Sequence, residues 1–385
     1  MEVKTGFRRT YQENPEGIYF APGRVNLIGE HTDYNGGNVF PCALTIGTYA
    51  AVKKREDRLI RLFSENFPQN GVIQFSLDEL VYDRSHDWAN YPKGVIKVFM
   101  ESGYIIPCGM DFYYSGNIPN GAGLSSSASI EVVTALILKE LFQFSVEMIE
   151  LVKLCQKAEN AFIGVNSGIM DQFAVAMGEK DKAILLDTNS LQYRYADIRL
   201  KDASIIVANT NKKRGLKDSK YNERRAECEE ALRRLQKKLP IHALGELTSE
   251  EFNQYKYLIE DPVLIKRALH AVTENERTLL AVKALESDDI EAFGKLMYAS
   301  HASLRDDYEV TGDELDALVE AAAEVDGTIG SRMTGAGFGG CSVSIVENNS
   351  VDNFIRTVGE KYRNRIGYDA DFYVVSIGQG VHRVE

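Results

Sequence analysis

The feature that most constrains this chain is a glycine- and serine-rich segment between a predicted strand and a predicted helix. The strand is predicted over residues 110–116 and the helix over 129–142, and residues 116–129 between them read GNIPNGAGLSSSAS. The first N–H groups of a helix lack intrahelical partners and carry the positive end of its dipole, so they attract phosphate. A helix cap needs only one serine. Because four serines crowd this turn, the segment favours a polyphosphate site, with a simple cap as the alternative.

The remaining hydrophobic patterns predict an α+β protein, with strands in the first third and at the end and helices in between. Further strands are predicted over residues 17–20, 39–53, 59–63, 72–75, 183–187, 204–208, 342–346 and 372–376. Further helices are predicted over residues 88–100, 146–162, 169–177, 221–238, 262–286, 289–305, 314–325 and near 351–362. A length of 385 residues suggests two domains, which we divide near residues 193–201 into 1–195 and 196–385.

Charge and composition exclude several classes of protein. The formal net charge of -12 disfavours nucleic-acid and anionic-lipid partners, so a phosphate site must be built locally from backbone dipoles and a metal ion. No run of eighteen apolar residues predicts a membrane span, and residues 1–20 lack the apolar core of a secretory signal. The five cysteines are widely spaced and form no Cys-x-x-Cys, which disfavours a disulfide framework or a zinc site. A cytoplasmic protein is therefore expected.

A second unusual segment, residues 21–37, reads APGRVNLIGEHTDYNGG. It is predicted to be a turn-rich loop between two strands, and it brings an arginine, an asparagine, two acids and a histidine together within ten positions. Carboxylates accept hydrogen bonds from hydroxyl groups, and glycines allow a ligand to approach the backbone closely. The segment is typical of a site for a neutral polyol such as a sugar, although a solvated charged turn is an equal alternative.

A third segment, residues 333–341, reads MTGAGFGGC and contains the spacing Gly-x-Gly-x-x-Gly at Gly335, Gly337 and Gly340. A dinucleotide-binding fingerprint must follow a strand and open a helix, whereas this segment runs into a predicted strand. The sequence also contains no P-loop and no protein-kinase signature. A glycine-rich bend that lines a ligand cleft is the better interpretation.

Together, the three segments resemble the motifs of the galactokinase family within the GHMP small-molecule kinase superfamily. Residues 23–34 are similar to the family signature, residues 119–128 to the ATP-phosphate loop, and residues 330–340 to the third motif of the superfamily. Residues 168–172 (GIMDQ) and 220–225 (KYNERR) match as well. The resemblance covers nearly the whole chain, with no departure at a catalytic position.

The resemblance implies transfer of the γ-phosphoryl group of ATP to the anomeric hydroxyl of α-D-galactose. It identifies Asp171 as the proton acceptor and Arg24 as the group that stabilises negative charge and keeps Asp171 ionised. Mg²⁺ is expected on Ser127 and Glu159, since magnesium prefers oxygen ligands.

The resemblance also implies which residues bind the two substrates. On the sugar side it implies Glu30, His31, Thr32, Asp33, Gly168 and Tyr221, with Asp33 reading hydroxyl stereochemistry. For the ATP phosphates it implies backbone N–H groups of Gly121, Ala122, Gly123, Leu124, Ser125, Ser126 and Ser127. For the adenine side it implies Trp88, Tyr91 and, more weakly, Ser64.

The fold implied by the resemblance is a two-domain α+β GHMP kinase fold. Its N-terminal domain contains a left-handed βαβ crossover, its C-terminal domain is ferredoxin-like, and the active site lies between them. Two alternatives are an N-acetylgalactosamine kinase and a catalytically idle galactose and ATP sensor of the same fold. Galactose and ATP are the expected partners, and no nucleic acid, membrane or obligatory protein partner is inferred.

Overall fold

The first half of the chain is built on a six-stranded sheet. The computed structural model describes residues 2–119, 123–200, 202–212 and 217–385, and of residues 217–219 the backbone only. The strand order is β13-β1-β3-β6-β4-β5. Its strands are β1 (Gly17–Asn26), β3 (Pro41–Lys54), β4 (Leu59–Ser64), β5 (Ile73–Ser76), β6 (Met110–Gly116) and β13 (His382–Arg383). Strand β13 pairs with β1, so the end of the chain returns to the first sheet.

The two faces of this sheet carry different helices because side chains alternate along each strand. Ile18, Ala51 and Tyr113 face helix α1 (Glu2–Tyr11) in a small separate core. The neighbouring positions of the same strands join the largest core, which the other helices cover. Those helices are α2 (Asn90–Glu101), α3 (Ser126–Leu141), α4 (Met148–Ala158) and α5 (Met170–Met177).

Strands β4 and β6 are parallel neighbours with α2 between them in the chain, which makes a βαβ unit. The left-handedness expected for that crossover stays a prediction. A short three-stranded sheet lies beside this part of the molecule. Its strands are β2 (Asn38–Val39), β7 (Lys182–Asp187) and β8 (Tyr193–Asp197), in the order β2-β7-β8.

The second half contains a four-stranded antiparallel sheet, and the order β10-β11-β9-β12 confirms the expected ferredoxin-like arrangement. Its strands are β9 (Ala203–Asn209), β10 (Thr328–Thr334), β11 (Cys341–Glu347) and β12 (Asp371–Val375). Helices α10 (Gly312–Ala323) and α11 (Val351–Ile366) cover one face. The other helices are α6 (Lys217–Leu235), α7 (Ser249–Tyr255), α8 (Pro262–Glu286) and α9 (Ile290–Asp306).

One core cluster joins the two halves. On β9, Ile206 and Ala208 pack under α10 and α11, whereas Ile205 and Val207 face the opposite way. There they meet apolar residues of the segment 21–37, Val25 among them. The six-stranded and four-stranded sheets are thus connected directly beneath residues 21–37. β8 pairs with β7 in the three-stranded sheet, whereas β9 is the first strand in the chain that belongs to the four-stranded sheet. We therefore propose that the two domains divide between β8 and β9.

Several features of the chain differ from the sequence expectations. Residues 21–26, expected in a loop, form the second half of β1, and the loop begins only at residue 27. The helix expected over residues 146–162 is α4 followed by one π-helical turn, Glu159–Ile163. Strand β10 and helix α1 are not predicted by the sequence patterns. No described helix combines the length and apolar character that a membrane crossing requires.

Helix α1 gives a test of the fold. Phe7 is fully buried between α1 and the first sheet, so Phe7→Ala should lower the free energy of unfolding by about 3–5 kcal/mol, from lost burial and the cavity left behind. Denaturant unfolding measures this change. The exposed Thr5→Ala on the same helix is the control and should stay within about 0.5 kcal/mol. A similarly small effect of Phe7→Ala would mean that α1 does not pack on the sheet.

Candidate active site

A cavity of about 760 Å³ brings together residues from both halves of the chain. Strand β1, the start of α3, the start of α5 and the turn after β10 all contribute to its wall. Most of the site residues expected from the sequence line it, namely Arg24, Glu30, His31, Asp33, Ser64, Trp88, Tyr91, Gly123, Ser126, Ser127, Glu159, Gly168, Asp171 and Tyr221. Arg24 and Asp171, 147 positions apart in the chain, therefore line the same cavity.

Three of the expected residues that the structure describes, Thr32, Leu124 and Ser125, are not part of that lining. The hydroxyl of Thr32 donates to the carbonyls of Gly29 (2.8 Å) and Asn38 (2.7 Å), which ties the loop after β1 together. The side chain of Leu124 is buried in the core that joins the two halves. Ser125 lies just behind the cavity wall and contacts Asp171. Gly121 and Ala122 lie outside the described residues.

Asp171 lies in the first turn of α5 and is held by two side chains. Nε of Arg24 donates to Oδ1 (2.7 Å), Nη2 of Arg24 donates to Oδ2 (2.6 Å), and the Ser125 hydroxyl also donates to Oδ2. Nη1 of Arg24 donates to the carbonyl of Gly123 (2.7 Å). The Arg24 side chain is only 5% exposed, whereas that of Asp171 is 27% exposed and reaches the cavity. The arginine thus orients a carboxylate that a ligand can touch.

A β-bulge aims Arg24 at this position. The register of β1 against β3 shifts between Pro22 and Arg24, and bulges of this kind turn a side chain toward a site beside the sheet. Proline and glycine next to the bulge explain why the sequence suggests a loop here.

The side chain of Asp33 lies against Gly168 at one end of the cavity. A Cβ atom on Gly168 would come within 1.8 Å of Oδ2 of Asp33, so only glycine leaves room for this carboxylate. Burial, with Asp171 and Glu30 nearby, raises the pKa of Asp33 to about 7. Backbone hydrogen bonds from Met170 and Tyr34 oppose this rise. A carboxylate at this position is suited to accept further hydrogen bonds from a neutral polyol.

His31 is part of a packed aromatic group at the same end. Its Nδ1 lies 2.7 Å from the Tyr34 hydroxyl, and its ring packs against Tyr308 (4.8 Å) and Tyr221 (5.7 Å). Burial lowers the pKa of His31 to about 3, so the ring is neutral near pH 7. Tyr221, on α6, lines the cavity beside it.

Glu30 lies in the loop after β1 (residues 27–37, the sugar-motif loop) and connects it to the third motif. Its Oε1 accepts hydrogen bonds from the Thr334 hydroxyl (2.9 Å) and the Gly335 N–H (2.7 Å), and it lies 3.4 Å from Nη1 of Arg332. Arg332 is fully buried on β10. The third motif is therefore a bend between β10 and β11 that supports the cavity, as expected.

The start of α3 forms another part of the wall. Ser125 has a left-handed backbone (φ 57°) and precedes the helix without capping it, while Ser126 and Ser127 line the cavity. Glu159 opens the π-helical turn and lies beside the Ser127 hydroxyl. Burial raises the pKa of Glu159, with Asp171 adding to the effect and hydrogen bonds from neighbours opposing it. No group of three or more His, Cys, Asp or Glu among the described residues is arranged to hold a metal ion.

Beyond α3 the cavity wall becomes aromatic. Trp88 is nearly buried, lies parallel to Phe67 (6.4 Å) and packs edge-on against Tyr114 (5.8 Å). Its indole Nε1 has no hydrogen-bond partner among the described residues. Tyr91 and Ser64 line the same region. Flat apolar surfaces with a few polar groups suit a planar heterocycle.

Several residues of the site were not expected from the sequence. The lining also contains Asn66, Phe67, Ser167, Asn209, Asn211 and Lys212. Ser167 directly precedes the GIMDQ segment, so adjacency to a motif was the available signal for that residue. Asn209 ends β9 and Asn211 follows two residues later. Arg332 lies within the third motif, but its contact with Glu30 joins residues 302 positions apart, which a sequence pattern does not indicate.

Comparison with known proteins agrees with this geometry. Residues 5–54 match the galactokinase galactose-binding signature, residues 90–179 the GHMP kinase N-terminal domain, and residues 281–364 the GHMP kinase C-terminal domain. A galactokinase of Fusobacterium nucleatum is 64% identical over 368 residues, which cover 95% of each chain. A galactokinase of Clostridium beijerinckii is 59% identical over 382 residues, covering 99% of this chain and 98% of the relative.

Solved structures give the same result. The crystal structure of Lactococcus lactis galactokinase complexed with galactose superposes with a TM-score of 0.97 at 50% identity, over 100% of this chain and 99% of that one. Methanococcus jannaschii mevalonate kinase shares the fold, with a TM-score of 0.65 at 20% identity over 94% and 98% of the two chains. The chain belongs to the galactokinase family of ATP-dependent sugar kinases, within the GHMP kinase superfamily.

Proposed function

We propose that this cavity binds galactose and ATP side by side and transfers the γ-phosphoryl group to the anomeric hydroxyl of the sugar. The observation that carries the proposal is the position of Asp171. It reaches the cavity between the acids of the sugar-motif loop and the start of α3, and Arg24 and Ser125 fix its orientation. A sugar hydroxyl bound between these two regions would contact both Asp171 and the terminal phosphate.

Galactose occupies the end of the cavity lined by Asp33, His31, Tyr221 and Gly168. Asp33 accepts hydrogen bonds from sugar hydroxyls there, in a position that only an adjacent glycine permits. A carboxylate buried without its partner hydroxyl is costly, so an epimer that lacks that hydroxyl is rejected. The solved relative from Lactococcus lactis was crystallised with galactose, which supports this ligand.

ATP lies across the start of α3, with its phosphates toward the serines and its adenine toward the aromatic wall. The N–H groups of the first turn of α3, with Ser126 and Ser127, bind phosphate oxygens. Trp88 and Tyr91 pack against the base, and Ser64 lies beside them. Gly123 lies just ahead of this helix start, and its carbonyl accepts a hydrogen bond from Arg24, which also contacts Asp171.

Ser127 and Glu159 fit a magnesium site that is completed by ATP. They supply one hydroxyl and one carboxylate on the cavity wall, and Mg²⁺ characteristically takes few protein ligands together with phosphate oxygens and water. When bound with ATP, the ion would neutralise phosphate charge during transfer.

Asp171 orients the anomeric hydroxyl and accepts its proton as the new P–O bond forms. Three hydrogen bonds hold its carboxylate in a fixed orientation. Phosphoryl transfer passes through a loose transition state, so the proton can leave late and a weak base is sufficient. Arg24 contributes by holding Asp171, and its charge counteracts the negative charge that accumulates nearby.

The two alternatives differ from this proposal in the reaction: one would phosphorylate N-acetylgalactosamine, and the other would bind galactose and ATP without phosphorylating a sugar. The named relatives support galactokinase over both an N-acetylgalactosamine kinase and an idle sensor. ADP release coupled to NADH oxidation, measured with galactose, N-acetylgalactosamine and glucose, tests the proposal directly. Of these three sugars, only galactose is expected to give ADP release. Preference for N-acetylgalactosamine, or galactose binding without ADP release, would contradict it.

Replacement of Asp171 tests the mechanism. Asp171→Asn keeps the shape of the side chain but removes the proton acceptor, so kcat should fall by about 10²–10⁴-fold with a smaller change in galactose affinity. Steady-state kinetics and calorimetric titration give the two quantities. The exposed Asp326→Asn is the control and should behave like the wild type. Near-normal turnover of Asp171→Asn would remove this residue from the mechanism.

Replacement of Asp33 tests the assignment of the sugar end. Asp33→Ala leaves galactose hydroxyls without their charged acceptor, a loss of about 1.5–3 kcal/mol, which corresponds to about 10–150-fold weaker galactose binding. ATP affinity should stay within about twofold, since Asp33 lies away from the start of α3. Calorimetric titration with each substrate separates the two effects. Weakened ATP binding with normal galactose binding would overturn the assignment.

The raised pKa of Asp33, about 7, predicts a pH dependence of sugar binding. Sugar hydroxyls donate to the ionised carboxylate, so binding lowers this pKa and releases a proton. The Kd for galactose should therefore fall as the pH rises from about 6 to about 8 and then level off. His31, with a pKa of about 3, does not titrate in this range. Asp33→Asn should lose the dependence, and a Kd that rises with pH would contradict the prediction.

A further inference from the structure

One side-chain amide lies between two buried carboxyl groups directly behind the cavity. Gln172 follows Asp171 in the first turn of α5 and is fully buried. Its Nε2 donates to Oε2 of Glu131 (3.0 Å), on α3, and to Oε2 of Glu159 (2.9 Å), at the end of α4. Three helices of the phosphate side are joined at this one nitrogen.

These contacts fix the orientation of the amide. An amide nitrogen has two hydrogens, and both are used. Rotation of the amide by a half turn would bring its oxygen against two carboxyl groups. In the present orientation Oε1 of Gln172 and Oε1 of Glu131 are buried without a hydrogen-bond partner among the described residues. Unpaired buried acceptors lower stability, so this arrangement is not the one that stability alone would favour.

The hydrogen bonds to Glu159 are concentrated on one of its oxygens. Oε2 accepts from Gln172 and from the Ser167 hydroxyl (2.5 Å). Neither donor contacts Oε1, and Glu159 lines the cavity beside the Ser127 hydroxyl. Gln172 therefore holds the carboxylate from the core side through Oε2, while Ser127 and Ser167 lie beside it on the cavity wall.

We infer that Gln172, supported by Glu131, is a positioning residue that orients the Glu159 carboxylate toward the divalent cation bound with ATP. The inference rests on the proposed role of Glu159 as a magnesium ligand. Hydrogen-bond partners behind a metal ligand fix its orientation, and their loss typically weakens metal affinity by about 10–100-fold. Because Gln172 is adjacent to Asp171, the same turn of α5 sets both the cation ligand and the proton acceptor.

The test uses Gln172→Met, which preserves length and apolar packing but removes both N–H groups. Electron paramagnetic resonance of Mn²⁺ with the protein–ADP complex measures metal affinity without turnover. We expect about tenfold weaker Mn²⁺ binding, with a matching rise in the Mg²⁺ concentration for half-maximal velocity. Galactose affinity should be unchanged. Glu131→Gln keeps an acceptor for Gln172 and should be close to the wild type, whereas Glu131→Leu should resemble Gln172→Met.

Two further variants separate this role from a merely structural one. Tyr195→Phe removes a hydrogen bond from the Tyr195 hydroxyl to the carbonyl of Met177 (2.6 Å), at the other end of α5, and should leave Mn²⁺ affinity unchanged. Glu159→Ala should weaken Mn²⁺ binding more strongly than any other variant. If Glu159→Ala has that effect and Gln172→Met and Glu131→Leu do not, the inference is wrong while the proposed magnesium site stands. If Glu159→Ala leaves Mn²⁺ affinity unchanged, the proposed site is wrong and the inference fails with it.

Discussion

The ion pair between Arg24 and Asp171 is the interaction on which the geometry of the cavity depends. Arg24 is buried on β1, and its guanidinium contacts both Asp171 on α5 and the carbonyl of Gly123 ahead of α3. A buried cation is tolerated only where its donors are paired, and removal of one partner of such a pair is strongly destabilising. The proposed proton acceptor, the segment ahead of α3 and the first sheet are therefore held together by one buried side chain, which we also propose acts in the chemistry.

The charges around the cavity explain why ATP needs more than side-chain cations there. Among the described lining residues the permanently charged cations are Arg24 and Lys212. Arg24 is paired with Asp171, and Lys212 is paired with Glu314 (2.8 Å). Each therefore already has a carboxylate partner, and the other charged groups of the described lining are carboxylates. Backbone N–H groups at the start of α3 and a divalent cation are the remaining sources of positive potential, which is the reason for proposing magnesium with ATP.

Most of the fold and much of the site could be predicted from the sequence, and the exceptions have physical causes. Motifs that are contiguous in the chain, such as residues 21–37, are recognisable from the order of their residues alone. Helix α1 has apolar residues at helical spacing (Val3, Phe7 and Tyr11), but three such residues in a polar segment of ten give a weak periodic signal. Gln172 lies within a recognised motif, but its role depends on Glu131, 41 residues away, and on burial that only the packed helices create. Hydrogen bonds between distant elements leave no periodic pattern for a sequence argument to detect.

The third motif shows how a glycine spacing acquires a function from its surroundings. Gly335 donates its N–H to Glu30 of the sugar-motif loop, and a Cβ atom there would come within 3.0 Å of the carbonyl of Gly123. Gly335 also has a positive φ of 83°, which favours glycine. The backbone of this bend thus approaches both the sugar side and the phosphate side closely. Glycine at position 335 is required for that approach. The same bend joins β10 to β11, so the four-stranded sheet positions the backbone that separates the two proposed substrate ends of the cavity.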